Sequence, residues 1–261
     1  MRKADIVVVG GGAAGFTAAL LSKNMYPDME VVIIRKEEKA LIPCGIPYIF
    51  SSLEGNVDRD ILPDSPLLKN GVEILVDNVD DVDRANKIVK TSSGEEVKYK
   101  KLILATGSLP FKINLPGSNL ENVFYVYKNY DYLKRLVEAI KDSDNIVIIG
   151  GGFIGCEFAD DISKLGKNVA IVELMPHCLS LNFDEEFCVI GEEELRKRGV
   201  KIFSGVKATE ILGNGKAKAV KLSTGQELPA DTVIIAVGAR PNVELAKKIG
   251  LRIGETGAIA V

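Results

Sequence analysis

The chain has 261 residues, enough for one large or two ordinary domains that each bury a core. Hydrophobic residues make up 46% and charged residues 26%, and the formal net charge of −3 gives no electrostatic footprint for nucleic acid or a membrane surface. The longest apolar runs, 146–149 and 233–237, are far too short to span a bilayer.

Residues 4–9 form a β-branched run that reads as a strand. The turn Gly10-Gly11-Gly12-Ala13-Ala14-Gly15 follows, and residues 16–25 then carry Ala and Leu at helical spacing. Strand, turn and helix in that order give G-x-G-x-x-G its meaning as a dinucleotide site. Gly10 makes the tight turn, Gly12 lets the backbone approach a pyrophosphate, and Gly15 lets the helix pack close. The amides around Ala13 and Ala14 then face the phosphates. Residues 31–34 read as the second strand of a βαβ unit. An acidic residue is expected at its end for a ribose hydroxyl, but Arg35 and Lys36 stand there, followed by Glu37 and Glu38. Adenosine recognition in this half is therefore expected to be unusual.

Next comes Leu41-Ile42-Pro43-Cys44-Gly45-Ile46-Pro47-Tyr48, one thiol in a turn punctuated by Gly and Pro. A following turn of amides and a helix start near Pro47 would favour its thiolate. Residues 58–69, with Pro63 and Pro66, read as holding a short helix. Short strands follow at 72–76, 88–91, 96–99 and 102–105, ending on Ala105-Thr106-Gly107, and Pro110 and Pro116-Gly117 mark a crossing to a second unit.

That unit repeats the first. A strand at 145–149 leads into Gly150-Gly151-Gly152-Phe153-Ile154-Gly155, a helix over 153–165, a strand at 169–172 and then short strands at 200–203, 219–222 and 232–237. Gly10 and Gly15 map onto Gly150 and Gly155 at an offset of 140, and Gly107 maps onto Gly238 at 131, so one nucleotide-binding plan occurs twice. Glu173 lies 18 residues after Gly155 at a strand end, where it would accept from both ribose hydroxyls and repel a 2′-phosphate. NADH is expected there over NADPH. The chain continues through Gly238-Ala239-Arg240-Pro241-Asn242 and a helix-like stretch at 243–249.

The remaining candidates read as structural. Cys156 fits core packing beside Phe153 and Ala159, Cys178 and Cys188 have no evident role, and His177 reads as a loop histidine. No C-x-x-C pair occurs and His177 is the single histidine, so no metal site is expected, and the unpaired cysteines fit a reducing cytoplasm. Lys23 on the first helix reads as solvated, with a coenzyme A phosphate as the sharper alternative.

Together, the segments 10–15, 102–110, 148–157 and 231–242 resemble the pyridine nucleotide-disulfide oxidoreductase family. The resemblance implies an α/β fold of two duplicated Rossmann-like units, each a parallel sheet with helices plus a small antiparallel meander. It implies an FAD-binding domain over 1–112, an NADH-binding domain over 113–240, and a return toward the FAD domain over 241–261. By the same resemblance FAD is held by Gly10, Gly12, Ala13, Ala14, Gly15, Arg35, Lys36, Pro43, Val79, Ala105, Thr106 and Gly107. NADH is held by Gly150, Gly152, Phe153, Ile154, Gly155, Glu157, Glu173 and Gly238, with Glu157 near the nicotinamide.

The single thiol, Cys44, is similar to that of the branch containing coenzyme A disulfide reductases, NADH oxidases and NADH peroxidases. Disulfide reductases with two redox cysteines have the second five residues on, and Ile49 stands there. Some oxidases and peroxidases have a histidine in the first glycine turn where this chain has Ala13, which favours a disulfide or persulfide substrate over oxygen or peroxide. An oxidase or peroxidase, and a reductase passing electrons to a protein such as rubredoxin, are the alternatives. The family's length implies a further FAD segment and a dimerisation domain past residue 261, hence a homodimer. A chain that binds nucleotides without completing a turnover is the remaining alternative.

Overall fold

The computed structural model describes residues 1–261 and divides into two compact units. Unit 1 comprises Met1–Pro43, Ile61–Leu109 and Arg240–Val261, and unit 2 comprises Cys44–Asp60 and Pro110–Ala239.

Unit 1 opens with β1 (Arg2–Val9), α1 (Ala13–Met25) and β2 (Val31–Arg35), then α2 (Ser65–Lys69), β3 (Glu73–Val76), β4 (Val79–Asp83), β5 (Ile88–Thr91) and β6 (Glu96–Leu104). Its six strands run in the order β3-β2-β1-β6-β5-β4. β1 lies parallel to β2, with Val8 opposite Ile33, and parallel to β6, with Val9 opposite Leu104. Both faces of these inner strands are covered, which is why they read as unbroken apolar runs rather than alternating ones. Ile6, Val8 and Ile33 pack with Ala19 of α1 and Leu67 of α2. Val7, Val9, Val32 and Ile34 pack on the other face with Val82, Val89 and Val97.

The chain leaves unit 1 through β7 (Ser108–Pro110) and enters unit 2 with β8 (Val123–Tyr125), α3 (Tyr130–Lys141), β9 (Asn145–Ile149), α4 (Phe153–Ser163) and β10 (Asn168–Val172). It continues through α5 (Glu185–Lys197), β11 (Lys201–Phe203), β12 (Ala208–Asn214), β13 (Lys216–Leu222), β14 (Glu227–Pro229) and β15 (Thr232–Ile235). Five parallel strands run in the order β11-β10-β9-β15-β8, and β12-β13-β14 form a separate antiparallel sheet. β16 (Ala239–Pro241), which pairs with β7, and α6 (Glu244–Lys248) return the chain to unit 1. No helix is long and apolar enough to cross a membrane.

The two copies share a plan but differ in their sheets. In unit 1 one nine-residue strand, β6, pairs with β1 along most of its length and with β5 at its start. The expected strands at 96–99 and 102–105 are thus continuous. In unit 2 the corresponding stretch is broken at Pro229, which ends β14 three residues before β15 begins at Thr232. β4, β7, β8, β12, β14, β16, α3 and α5 were not expected from the sequence.

The expected domain boundaries keep residues 44–60 with the first domain, whereas spatially they join unit 2. Ile46, Ile49 and Phe50 are buried, and the Phe50 ring packs 5.2 Å from that of Phe158 on α4. Asp161, two turns into α4 and fully buried, accepts the Ser51 amide at 2.8 Å, the Ser52 amide at 3.1 Å and the Ser52 hydroxyl at 2.5 Å.

Candidate functional site

Each glycine turn is built by steric demand. Gly10 and Gly150 have φ of +112° and +109°, in the left-handed region that penalises any side chain. A Cβ there would overlap the carbonyl oxygen of Ala105 in the first turn and of Ala236 in the second. A Cβ on Gly15 or Gly155 would overlap the carbonyl of Gly10 or Gly150, so these glycines set how closely α1 and α4 pack on their strands. Gly12 and Gly152 differ: a Cβ on either meets nothing within 4 Å. That open face borders the first helical turn, whose amides have no acceptor within the helix. The first helical bonds run from Phe16 to Gly12 and from Cys156 to Gly152. Both turns therefore fit a pyrophosphate sterically and electrostatically.

The strands also superpose by hydrogen bonding. Gly10 donates to Ile34 and Gly150 to Val172, each at 2.8 Å, so Arg35 and Glu173 are equivalent positions with opposite charge. Glu173 folds over Gly151: its carboxylate accepts the Gly151 amide, and the Met175 amide at 2.7 Å. Arg35 covers Gly11 with its aliphatic stem, where a Cβ on the glycine would stand 2.7 Å from that of Arg35. Arg35 is 4% exposed, and its guanidinium is gripped by both carboxylate oxygens of Asp64, at 2.6 and 2.7 Å, and by the Glu38 carbonyl at 2.7 Å. Lys36 is exposed beside Glu37.

Other expected residues are placed as follows. Thr106 bonds Asn242 twice, its hydroxyl donating to the Asn242 carbonyl at 2.6 Å and its carbonyl accepting the Asn242 amide group at 3.3 Å. Gly107, at φ +69°, accepts the Asn242 backbone amide, and Gly238, at φ +107°, accepts that of Phe111. Val79 opens β4, half-buried against the β1/β2 face. Ala13, Ala14 and Phe153 are exposed at their turns, and Pro43 and Ile154 are half-buried.

Cys44 is exposed, in a turn before a single 3-10 turn, Ile46–Tyr48. That turn is shorter than the helix start expected near Pro47. Lys128, in the loop after β8, lies near Cys44, and its ammonium is lowered from the usual lysine range by desolvation, with the neighbouring thiol acting weakly in the opposite sense. Glu157, one turn into α4, is pushed up by burial, and a hydrogen bond from Tyr48 acts in the opposite sense.

Sequence reasoning missed two devices: the Asp161 anchor and the Arg35–Asp64 pair join residues far apart in the chain, which no local spacing marks. Lys23 has a structural role, donating to the Pro27 and Met29 carbonyls at 2.8 Å each and closing the α1–β2 loop. His177 lies between Glu185 and the buried Glu192. No cluster of three or more His, Cys, Asp or Glu side chains is arranged to hold a metal ion.

The sequence profile of the pyridine nucleotide-disulphide oxidoreductases matches residues 4–261. The NAD(P)H coenzyme A polysulfide/persulfide reductase of Pyrococcus horikoshii is 36% identical over 266 residues, covering 98% of this chain and 58% of its own. The NADH oxidase of Methanocaldococcus jannaschii is 33% identical over 259 residues, covering 95% and 57%. The NAD-dependent persulfide reductase of A. fulgidus superposes with a TM-score of 0.90 at 31% identity, over 97% of this chain and 49% of its own. The chain thus spans just over half the length of the curated relatives it matches. By fold, by both glycine turns and by sequence, the chain belongs to the pyridine nucleotide-disulphide oxidoreductase family.

Proposed function

We propose that the protein is an FAD-dependent oxidoreductase that passes electrons from NADH to Cys44, which reduces coenzyme A disulfide or a related small disulfide or persulfide. The observation that carries this reading is an exposed thiol on the unit that holds the second glycine turn, in a segment that Asp161 ties through Ser51 and Ser52 to the helix which that turn begins. In this reading unit 1 holds FAD, with the amides of Gly12 to Gly15 on its pyrophosphate and residues 241–261 completing the domain. Unit 2 holds NADH, with Gly152 to Gly155 on the pyrophosphate and Glu173 accepting from the adenosine ribose. When bound, the flavin supplies two-electron transfer between NADH and the Cys44 disulfide state. The Cys44 thiolate attacks one sulfur of the substrate disulfide, forming a mixed disulfide and releasing one thiolate. The half-buried Glu157, raised by burial, suits a group that holds a proton near the nicotinamide.

The Pyrococcus relative's name supports the persulfide reading, and the Methanocaldococcus relative's name supports an oxidase acting on oxygen. Stopped-flow separates them. Anaerobic NADH loss that requires added coenzyme A disulfide and disappears in Cys44→Ser supports the first, and turnover that needs only air supports the second. Full activity of Cys44→Ser with a small electron-carrier protein would point instead to a rubredoxin-type reductase.

A further inference from the structure

Three of the four cysteines lie in unit 2 away from the turn of Cys44, and all three are buried. Cys156, on the first turn of α4, is 9% exposed, and its thiol donates to the Gly151 carbonyl at 3.3 Å. Cys178, from the loop after Glu173, is 1% exposed and reaches the same glycine: a Cβ on Gly151 would stand 2.6 Å from its sulfur. Both sulfurs therefore adjoin one glycine, Cys156 at its carbonyl and Cys178 at its α-carbon, and Cys156 is the neighbour that most raises the Cys178 ionisation. Gly151 is held on every side, since its carbonyl also accepts the Leu179 amide at 2.8 Å and its amide donates to Glu173. The buried Glu192 pins the Cys178 amide at 2.8 Å and is itself paired with Arg196 at 2.9 Å. The middle glycine of the second turn is thus the meeting point of two sulfurs, the Glu173 carboxylate and the loop from 174 to 183.

We propose that Cys156 and Cys178 form a redox-active dithiol that closes to a disulfide beneath the second glycine turn and thereby weakens nucleotide binding there. The oxidant is a small disulfide, RS–SR. The Cys156 sulfur attacks one of its sulfurs, RS⁻ leaves and takes the thiol proton, and a Cys156–S–SR mixed disulfide remains. The Cys178 sulfur then attacks Cys156, the second RS⁻ leaves with the second proton, and two electrons have passed from the pair to two molecules of RSH. The roles follow from the surroundings: the neighbouring Cys156 first, then burial, raises the Cys178 ionisation, and Cys156 is the more exposed of the two, so Cys156 attacks and Cys178 resolves. Closing the bond draws the sulfurs to about 2 Å and removes the thiol donor from the Gly151 carbonyl. The loop from 174 to 183 is pulled onto the first turn of α4, and the Glu173 contact with Gly151 moves with it.

The disulfide chemistry stands alone, and its effect on NADH rests on the functional reading above. The test uses the purified protein as Cys44→Ser, so that Cys156, Cys178 and Cys188 are its only thiols. It is incubated with 2-hydroxyethyl disulfide, unfolded, alkylated and mapped by mass spectrometry, and NADH binding is measured before oxidation, after it, and after re-reduction with dithiothreitol. The expected result is a Cys156–Cys178 crosslink with Cys188 still alkylated, NADH affinity lowered about tenfold or more, and full recovery on reduction. Adding Cys156→Ser or Cys178→Ser removes both the crosslink and the loss of binding. Alkylation of all three thiols after oxidation, or a crosslink to Cys188, overturns the dithiol. A crosslink with unchanged NADH affinity overturns its effect on binding, whereas a reduced protein that does not bind NADH overturns the reading of the turn and not the dithiol.

Discussion

At the scale of single residues, the glycine turns separate what the fold needs from what a ligand needs. Gly15 is sterically required, because a Cβ there would enter the Gly10 carbonyl, while Gly12 faces open space in an extended conformation that any residue adopts. Gly12→Ala should therefore leave the melting temperature nearly unchanged and abolish flavin retention, whereas Gly15→Ala should lower stability by about 1–3 kcal/mol; thermal denaturation and the flavin absorbance of the purified variants read the two effects separately. Asp60 gives a pH signature. It is 1% exposed with Oδ2 unpartnered, and burial pushes its carboxyl from 3.8 up to about 6. The folded chain keeps that proton where the unfolded chain has lost it. The stabilisation is thus complete below about pH 4 and is lost as pH rises through 6, a change on the order of 2–3 kcal/mol. Asp60→Asn should match the parent in urea unfolding near pH 4 and exceed it near pH 8; equal curves at both would show that the Asp60 carboxyl is not buried without a partner.

At the scale of elements, α4 does two things at once. Its N-terminus carries the second glycine turn, and two turns on Asp161 binds the segment after Cys44. Asp161→Ala leaves the Ser51 and Ser52 amides without their acceptor and should cost about 2–4 kcal/mol. Limited proteolysis should then cut between 44 and 60 first; cleavage unchanged from the parent would show that the Phe50–Phe158 packing alone holds the segment. The same scale explains what the sequence made legible. α1 and α4 could be read because a glycine turn announces each of them. α3 also left a signal, with Leu133, Leu136, Val137 and Ile140 on one face and Asn129 capping Tyr132, but it adjoins no motif that drew attention to it. α5 left almost none: its buried face includes the polar Glu192, whose partners lie 14 and 15 residues earlier and one turn later. β4, Val-Asp-Asp-Val-Asp at a sheet edge, has too few apolar residues to stand out.

At the scale of the whole molecule, one nucleotide-binding plan occurs twice and has been given opposite charge at a single equivalent position, Arg35 in one copy and Glu173 in the other. The duplication was legible because glycine positions are fixed by sterics and survive as spacing. The Arg35–Asp64 clamp and the meeting of Cys156 and Cys178 at Gly151 were not, because each depends on residues 22 to 29 apart that only the fold brings together. The central claim is that electrons from NADH reach Cys44, and the most direct measurement loads that thiol and asks whether NADH unloads it. The flavin-containing protein is treated with coenzyme A disulfide under argon, the adduct is located by mass spectrometry, and NADH is added. A coenzyme A adduct confined to Cys44 that disappears on adding NADH is the predicted result, and an adduct on Cys44 that persists through NADH addition would contradict the account.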